Sequence, residues 1–354
     1  MRNLIWFFLI LLIVFRYFSS RPVYHNGDSV RITATVYSDP LFFGKTEYIK
    51  LANLRIFLPG ETGIEYGDRV AVEGVVESGE LKGAKLLKKE EGNFLSGFRS
   101  KVVEFYKSVL PQPESGALAG IVFGARGAMP SDFYNQTKTS GLFHLVIPSG
   151  LKTTLVISFL IGFFALFVRR QIAIPFVILT ILIYLLITGF DAPIVRSAIM
   201  ASVAFTAQIF GRVVSPWRVF FLTVFIMLIF QPDWVTDIGF YVSFASVAFL
   251  MLYEKDFAGY LKSLKFPKVL VEDFSASLIA QLGAAPILYL AFNQLSLLSP
   301  VANVLVLWMI PFLMALGMLG GILGLAFPEA GRLLLYASFP MLWIFSKVVQ
   351  VFGG

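Results

Sequence analysis

The residues with the clearest chemical potential lie in the stretch SGLFHLVIPSGLK, residues 140–152. It contains His144, Ser149 and Lys152, although the chain has only 2 His in 354 residues. A histidine beside a serine is the pairing used for nucleophilic hydrolysis, but no G-x-S-x-G elbow surrounds Ser149. The sequence also lacks an H-E-x-x-H zinc motif and a Walker phosphate loop. We therefore predict a polar contact site without a cofactor, not an enzyme; a membrane hydrolase using His144 and Ser149 is the weaker alternative.

Further polar side chains interrupt the apolar segments that follow. At membrane depth such groups are costly and usually face a bundle interior or a wet path. Each also has a structural interpretation, because Asp191 and Arg196 could pair and Asp237 could cap a helix. Ser243 and Asn303 could join helices. Since the set clusters near the predicted outer ends of helices, we predict a shared polar vestibule. Its members in this half of the chain are Arg196, Asp237, Ser243, Gln281, Asn293 and Asn303.

Composition places the elements that position these residues in a membrane. The chain is 57% hydrophobic and 14% charged, contains 37 Phe, and has a mean hydropathy of +0.78. A soluble domain is about a quarter charged, so most of this chain must lie in lipid. The chain contains no Cys, which excludes disulfides, thiolate metal sites and a cysteine nucleophile.

Apolar runs long enough to span a bilayer alternate with short polar breaks beyond residue 143. Pro311 interrupts one of these runs and could divide it into two segments. The region 141–354 is therefore predicted to be a polytopic helical domain. The predicted spans are 149–168, 172–189, 194–210, 217–231, 235–253, 274–292, 296–327 and 333–352.

Loop charge predicts the orientation of these spans, because Lys and Arg favour the cytoplasmic side. Basic residues end alternate spans, as at 169–170 and 212–218, whereas the breaks at 189–193 and 232–234 contain none. We therefore expect a multi-pass protein of the plasma (inner) membrane with its N-terminus in the cytoplasm. Everything between the first anchor and residue 150 is then expected outside.

Residues 22–93 have the two-residue alternation of half-buried strands. The segments SVRITATV and RVAVEGVV each follow a Gly-Asp turn. About five short strands with glycine turns predict a small closed, OB-like β-barrel, with an unspecialised β-sandwich as the alternative. Several aromatic residues could either stack on nucleic-acid bases or fill the barrel core. They are Tyr37, Phe42, Phe43, Tyr48 and Phe57.

Two further segments flank this β domain. Residues 1–21 carry an apolar run and are predicted to be an uncleaved transmembrane anchor, with a cleaved signal peptide as the alternative. Residues 94–140 are predicted to form interfacial, amphipathic helices. In the first of these, an apolar face is expected to carry Phe98, Val102 and Phe105, with Arg99 directed elsewhere.

Four stretches of the apolar half resemble the competence domain of the ComEC family. GLFHLVIPSGLK resembles that family's G-L-x-H-L-x-A-I-S-G-x-H motif, and VRSAIM resembles its R-A-x-x-M segment. QPDWVTDIGFYVSFASV resembles P-x-x-x-x-D-x-G-F-x-L-S-F-x-A-V. AQLGAAPILYLAFNQLSLLSPVANVL resembles A-Q-x-x-x-x-P-x-x-x-x-x-F-x-x-x-S-x-x-S-x-x-A-N. The matching positions include His144, Ser149, Arg196, Met200, Asp237, Gly239, Ser243, Gln281, Pro286 and Asn303.

This resemblance implies a membrane channel that imports single-stranded DNA during natural transformation. It also implies an extracellular DNA receptor and a cytosolic ATPase motor as partners. Lys152 stands where the family usually has a second histidine, so a role that needs two histidines does not transfer. The chain ends at Gly354, so a short or truncated form without the family's C-terminal metallo-hydrolase-like domain is expected. The alternative function is a small-molecule or lipid transporter with the same helical core.

Overall fold

The computed structural model describes most of the chain, including a helical stretch at residues 11–19 within the predicted N-terminal anchor. The predicted span 149–168 lies outside the described residues, as do the site residues Ser149, Lys152 and Asn293. The described residues are 11–19, 24–37, 39–43, 46–52, 54–59, 62–92, 94–146, 170–263, 268–292 and 299–354.

The N-terminal β domain is one mixed sheet in the strand order β1-β5-β6-β4-β3-β2. All neighbouring strands are antiparallel except β4 and β6, which run parallel. Alternating side chains of these strands bury an apolar core that includes Ile32, Ile56, Leu58 and Val72. The strands are β1 (Ser29–Thr35), β2 (Leu41–Phe43), β3 (Thr46–Leu51), β4 (Leu54–Pro59), β5 (Arg69–Glu77) and β6 (Glu80–Glu90).

The prediction of a closed OB-like barrel was wrong, because the sheet does not close. Among the described strands, β1 and β2 form the two edges of the sheet, and no ladder joins them. The short strand β2 pairs with the outer edge of β3, which is the edge that β1 would need in order to close a barrel. Tyr37 and Phe57 do not fill the core, because both are exposed.

The two Gly-Asp turns form as the sequence indicates. Gly27 and Gly67 have φ values of 96° and 91°, which a glycine adopts without steric cost. In each turn the following aspartate accepts a hydrogen bond from a backbone N–H three residues earlier, at 2.8 Å for both Asp28 and Asp68. The strands that begin after these turns, β1 and β5, pair with each other.

The remainder of the described chain is helical. Short 3₁₀ turns occupy Arg126–Ala128, Pro232–Thr236 and Leu307–Met309, and a π turn occupies Leu250–Glu254. The α-helices are α1 (Phe94–Val109), α2 (Glu114–Phe123), α3 (Ser131–Thr139), α4 (Phe143–Val146), α5 (Arg170–Thr188), α6 (Ala192–Ile209), α7 (Pro216–Phe230), α8 (Ile238–Phe249), α9 (Lys255–Ser263), α10 (Lys268–Phe292), α11 (Ser299–Val306), α12 (Ile310–Ala326) and α13 (Pro328–Gly353).

Four helical segments in the described part of the chain are long and apolar enough to cross a membrane. They are Ile238–Ser263, Phe274–Ala291, Val301–Ala326 and Pro328–Gly353. Helices α5, α6 and α7 occupy the predicted spans 172–189, 194–210 and 217–231 within two residues at each end, as shorter apolar helices. The predicted break near Pro311 is also present, because a 3₁₀ turn separates α11 from α12 immediately before this proline.

Helix α2 is buried along its whole length and forms the centre of the helical half. Helix α1 packs beside it and against α12, whose glycines leave no room for a side chain. A Cβ on Gly321 would overlap Val102, and one on Gly324 would overlap Phe105. The hydroxyl of Tyr106 donates to the carbonyl of Gly317 at 2.7 Å.

The buried face of α1 differs from the predicted one. Arg99, Val102 and Tyr106 are buried on α1, whereas Phe98 and Phe105 are only partly covered. The prediction that Arg99 points elsewhere was therefore wrong. Its guanidinium is held in this position by an ion pair with Asp39 of the β domain.

Candidate functional site

Helices α6 and α8 meet at a buried guanidinium. Arg196 is only 8% exposed, and its Nε donates to the Ser243 hydroxyl at 2.7 Å. Its Nη1 lies 3.4 Å from the Met200 sulfur, and its Cζ is 5.9 Å from the centre of the Phe244 ring. Two residues of the predicted vestibule are therefore in direct contact. The alternative interpretation, in which Arg196 pairs with Asp191, was wrong, because Asp191 pairs with Arg126.

The first turns of the two helices determine this contact. Asp237 is the N-cap of α8 and accepts a hydrogen bond from the Phe240 backbone N–H at 2.8 Å, which confirms the capping interpretation. A Cβ on Gly239 would lie 2.9 Å from the Asp237 carboxylate and 3.9 Å from Pro193 at the start of α6. One turn further into each helix, Arg196 and Ser243 come into contact.

The charge on Arg196 has no acidic partner among the residues that the structure describes. Its neighbours there are a hydroxyl, a thioether and an aromatic ring. A buried cation without a counter-charge costs stability and is usually retained for a function. The arrangement can hold an anionic group of a ligand.

A second polar contact joins α10 and α11. The Asn303 amide donates to the Ser277 hydroxyl at 2.8 Å, and Asn303 is 4% exposed. Gln281 lies four residues beyond Ser277, and therefore on the same face of α10. The interpretation of Asn303 as a residue that joins helices is thereby confirmed, while the contribution of Gln281 to a vestibule stays a prediction.

His144 lies on the short helix α4 and is exposed. Its Nδ1 is 3.0 Å from the Gly141 carbonyl, three residues earlier. A carbonyl only accepts, so this nitrogen carries the proton and donates. The approach of His144 to Asp237 or Asn303 stays a prediction.

A chain of ion pairs, which we did not predict from the sequence, links the β domain to the helices. Asp39, between β1 and β2, accepts from Arg99 Nη2 at 2.6 Å and from the Arg126 backbone N–H at 3.2 Å. The Arg126 side chain donates to Asp191 at 2.9 Å, immediately before α6. The position of Arg99, three residues before buried Val102 and seven before Tyr106, is the sequence signal that could have shown its burial.

Aromatic residues of the β domain complete this contact. The Tyr66 hydroxyl donates to the Leu186 carbonyl at 3.3 Å, and the Arg99 guanidinium lies 4.3 Å from the Tyr66 ring centre. Burial raises the pKa of Tyr66 to about 12, so this donor stays protonated at neutral pH. The Tyr37 ring packs edge-on against Phe190, with 6.1 Å between ring centres.

The electrostatics of this contact are centred on Asp191. Burial is the main cause that raises the pKa of the Asp191 carboxyl, and Arg126 opposes it. Asp237 and Asp39 are near enough to add to the rise by repulsion. The first turns of α6 and α8 are therefore in electrostatic contact with the β domain. Among the described residues, no group of three or more His, Cys, Asp or Glu side chains could hold a metal ion.

The fold and these contacts define a multi-pass helical membrane protein that has an N-terminal β domain attached to its helix ends. The family model described as "Competence protein" matches residues 121–354. Because this match covers more than half of the sequence, the chain belongs to the competence protein (ComEC) family.

A curated relative supports this assignment. The chain is 27% identical over 259 residues to ComE operon protein 3 of Bacillus subtilis (strain 168). The alignment covers 72% of this chain but only 32% of that relative. The chain therefore spans about a third of the length of the curated relative that it matches. No solved structure matches the chain.

Proposed function

We propose that this chain is a membrane channel that imports single-stranded DNA across the plasma membrane during natural transformation. The observation that carries the proposal is Arg196, a buried cation that contacts Ser243 and has no acidic partner among the described residues. A strand with one phosphate per nucleotide is the kind of ligand that a fixed positive charge in a membrane core would attract. Family membership supports the same direction.

The path that we propose includes the other polar residues of the predicted vestibule. Asp237 contributes by starting α8 and thereby positioning Ser243, and Asn303 by holding α11 against α10. The remaining proposed members are His144, Ser149, Lys152, Gln281 and Asn293.

The proposed orientation places the β domain outside and the N-terminus in the cytoplasm. It rests on the positions of Lys and Arg in the loops. A DNA receptor would then deliver the strand on the outer side, and a cytosolic ATPase would pull it inward. A reporter fused after Glu91 should be active only outside, and one fused after Lys262 only inside. The reverse pattern would contradict the orientation.

The function is tested by the uptake of labelled DNA in a naturally transformable strain that lacks this chain. We expect binding of DNA to the cell surface to persist, while label protected from added nuclease disappears and returns with the intact gene. Normal internalisation in the deletion strain would contradict the channel and favour the small-molecule or lipid transporter.

A further inference from the structure

On the polar helix α3, a lysine with no acidic partner among the described residues lies over two aromatic rings, one from α3 and one from α4. The Lys138 Nζ is 4.2 Å from the ring centre of Tyr134 and 5.6 Å from that of Phe143. The two rings pack edge-on, with centres 5.3 Å apart and planes at 83°. Within the described chain, the structure gives the Lys138 ammonium no hydrogen bond and no ion pair.

The surroundings of this lysine are positively charged. Burial, and after it repulsion from Arg126, lowers the pKa of the Lys138 ammonium. Arg126 is already bonded to Asp191, and no carboxylate is among the groups that shift the pKa of Lys138. The next residue after Phe143 is His144, whose ring is exposed. An anion placed here would relieve the repulsion without displacing an existing partner of Lys138.

Two other contacts between a basic side chain and an aromatic ring are arranged differently. Lys347 lies 5.9 Å from the Trp343 ring on α13, but its ammonium also donates to Gln350 at 3.2 Å. Arg99 lies over Tyr66, but it is paired with Asp39. Lys138 thus combines an unsatisfied charge with two partly exposed rings.

We propose that Lys138, Tyr134 and Phe143, beside Arg126 and His144, form a contact site for the phosphate backbone and bases of single-stranded nucleic acid. This inference rests on the proposed function and names where the strand touches the protein before the helical core. The ammonium binds a phosphate, and the ring edges and faces that Lys138 leaves open pack against a base, which is the combination that sequence-tolerant single-strand binding uses. Anionic lipid is the competing ligand, because Lys and Tyr also bind at membrane surfaces.

The test measures the binding of a fluorescent oligothymidylate to the full chain in nanodiscs of zwitterionic lipid. Lys138→Gln should weaken binding by about threefold or more and reduce the slope of log K against log salt by about 0.7 between about 50 and 200 mM. Lys138→Arg should bind like the unmodified chain. Lys347→Gln removes a comparable charge from another ring and should change neither quantity.

A double-mutant cycle tests whether the lysine and the ring act as one site. Tyr134→Ala alone should weaken binding, and in combination with Lys138→Gln the two losses should not add. If Lys138→Gln does not insert into membranes, the unmodified chain is cross-linked to 4-thiothymidine DNA, and an adduct on the peptide containing residues 131–146 is expected. No adduct on that peptide would overturn the proposal.

The outcomes separate this inference from the proposed function. Unchanged affinity and salt slope in Lys138→Gln, with a chain that binds DNA, would overturn the contact site and leave the channel intact. A loss confined to vesicles containing phosphatidylserine, with unchanged oligothymidylate binding, would assign Lys138 to lipid and overturn the site as well. Normal DNA internalisation in a strain that lacks the chain would remove the channel and this site together.

Discussion

Helix α6 has a polar contact on each side of its first turn, and the two contacts differ in how charge is balanced. On the β-domain side, Asp39 and Asp191 face Arg99 and Arg126 in a chain of ion pairs. One turn into the helix, Arg196 meets only the hydroxyl of a serine, a methionine sulfur and a ring among the described residues. A balanced network stabilises the attachment of two parts of a fold. An unbalanced buried charge lowers stability and is retained where a ligand supplies the missing charge.

The largest expected effect is a loss of stability when the ion pair between Arg99 and Asp39 is broken. Arg99→Gln leaves Asp39 without its charged partner in a contact where the side chains are 4% and 14% exposed. Breaking a buried ion pair by removing one partner costs about 3 kcal/mol or more. Thermal unfolding of the purified chain in detergent should show the loss.

An exposed ion pair provides the matched control for Arg99. Arg332→Gln removes a guanidinium whose side chain is 50% exposed and whose partner Glu329 is 84% exposed, so it should cost no more than about 0.5 kcal/mol. Equal losses for the two variants would show that burial does not distinguish these ion pairs.

The second effect is a loss of DNA uptake when the charge of Arg196 is removed. Arg196→Gln removes a charged hydrogen-bonding group worth about 1.5–3 kcal/mol to an anionic ligand. DNA internalised per folded molecule should therefore fall by about tenfold or more. The unfolding temperature should not fall, because the variant no longer buries a charge that has no acidic partner among the described residues. Arg196→Lys keeps the charge but loses the Nε contact to Ser243 and should retain part of the activity.

Measuring both stability and DNA uptake for Arg99→Gln and Arg196→Gln tests the contrast between the two contacts. If Arg196→Gln lowers stability as much as Arg99→Gln and leaves uptake per folded molecule unchanged, both contacts are structural. The distinction between an attachment and a ligand site would then be lost.

A smaller effect is expected at the cap that brings α6 and α8 together. Asp237→Ala removes the acceptor for the Phe240 N–H and should cost about 1 kcal/mol. Asp237→Asn keeps a capping side chain, so stability and uptake per folded molecule should both stay close to those of the unmodified chain. A large loss of uptake in the Asn variant, with stability unchanged, would instead assign the Asp237 charge to the path.

The smallest effect is a pH dependence of stability. Burial raises the pKa of Asp191 in the folded chain above its usual value of 3.8. The folded state then binds more protons than the unfolded state just above pH 3.8, so the contribution of Asp191 to stability falls as the pH rises through this window. Asp191→Asn should flatten that part of the curve of unfolding temperature against pH. An unchanged curve would show that the pairing with Arg126 fully offsets the burial of Asp191.

The strands and most helices of this chain follow from local patterns. Two-residue alternation and the Gly-Asp turns specify β1 and β5, and the apolar runs specify the helices within a few residues. Closure of the sheet did not follow, because it depends on which strand takes the free edge of β3, and β2 is only three residues long. Strand pairing between segments distant in sequence has no local signal.

The site residues within the apolar helices could be predicted from the sequence, whereas those that attach the β domain could not. Arg196, Ser243 and Asp237 stand out because polar residues are rare in apolar helices. Asp39 and Arg126 lie in polar segments where a charged side chain is ordinary, so only the packing of the β domain against α5 and α6 reveals their roles. Arg99 was predicted on the wrong face, although its spacing to Val102 and Tyr106 could have shown its burial, and its charged partner lies in another domain.

The hydrogen bond between Tyr106 and Gly317 joins residues that are 211 positions apart, and this separation has a consequence for biosynthesis. At the usual speed of about 5–20 residues per second, a ribosome needs roughly 10–40 s to reach the second partner after making the first. During that interval the apolar face of α1, with Val102 and Tyr106, has no α12 to cover it. We therefore expect nascent chains stalled before residue 310 to be held by membrane chaperones and degraded by proteases, and chains extended beyond residue 326 to escape both.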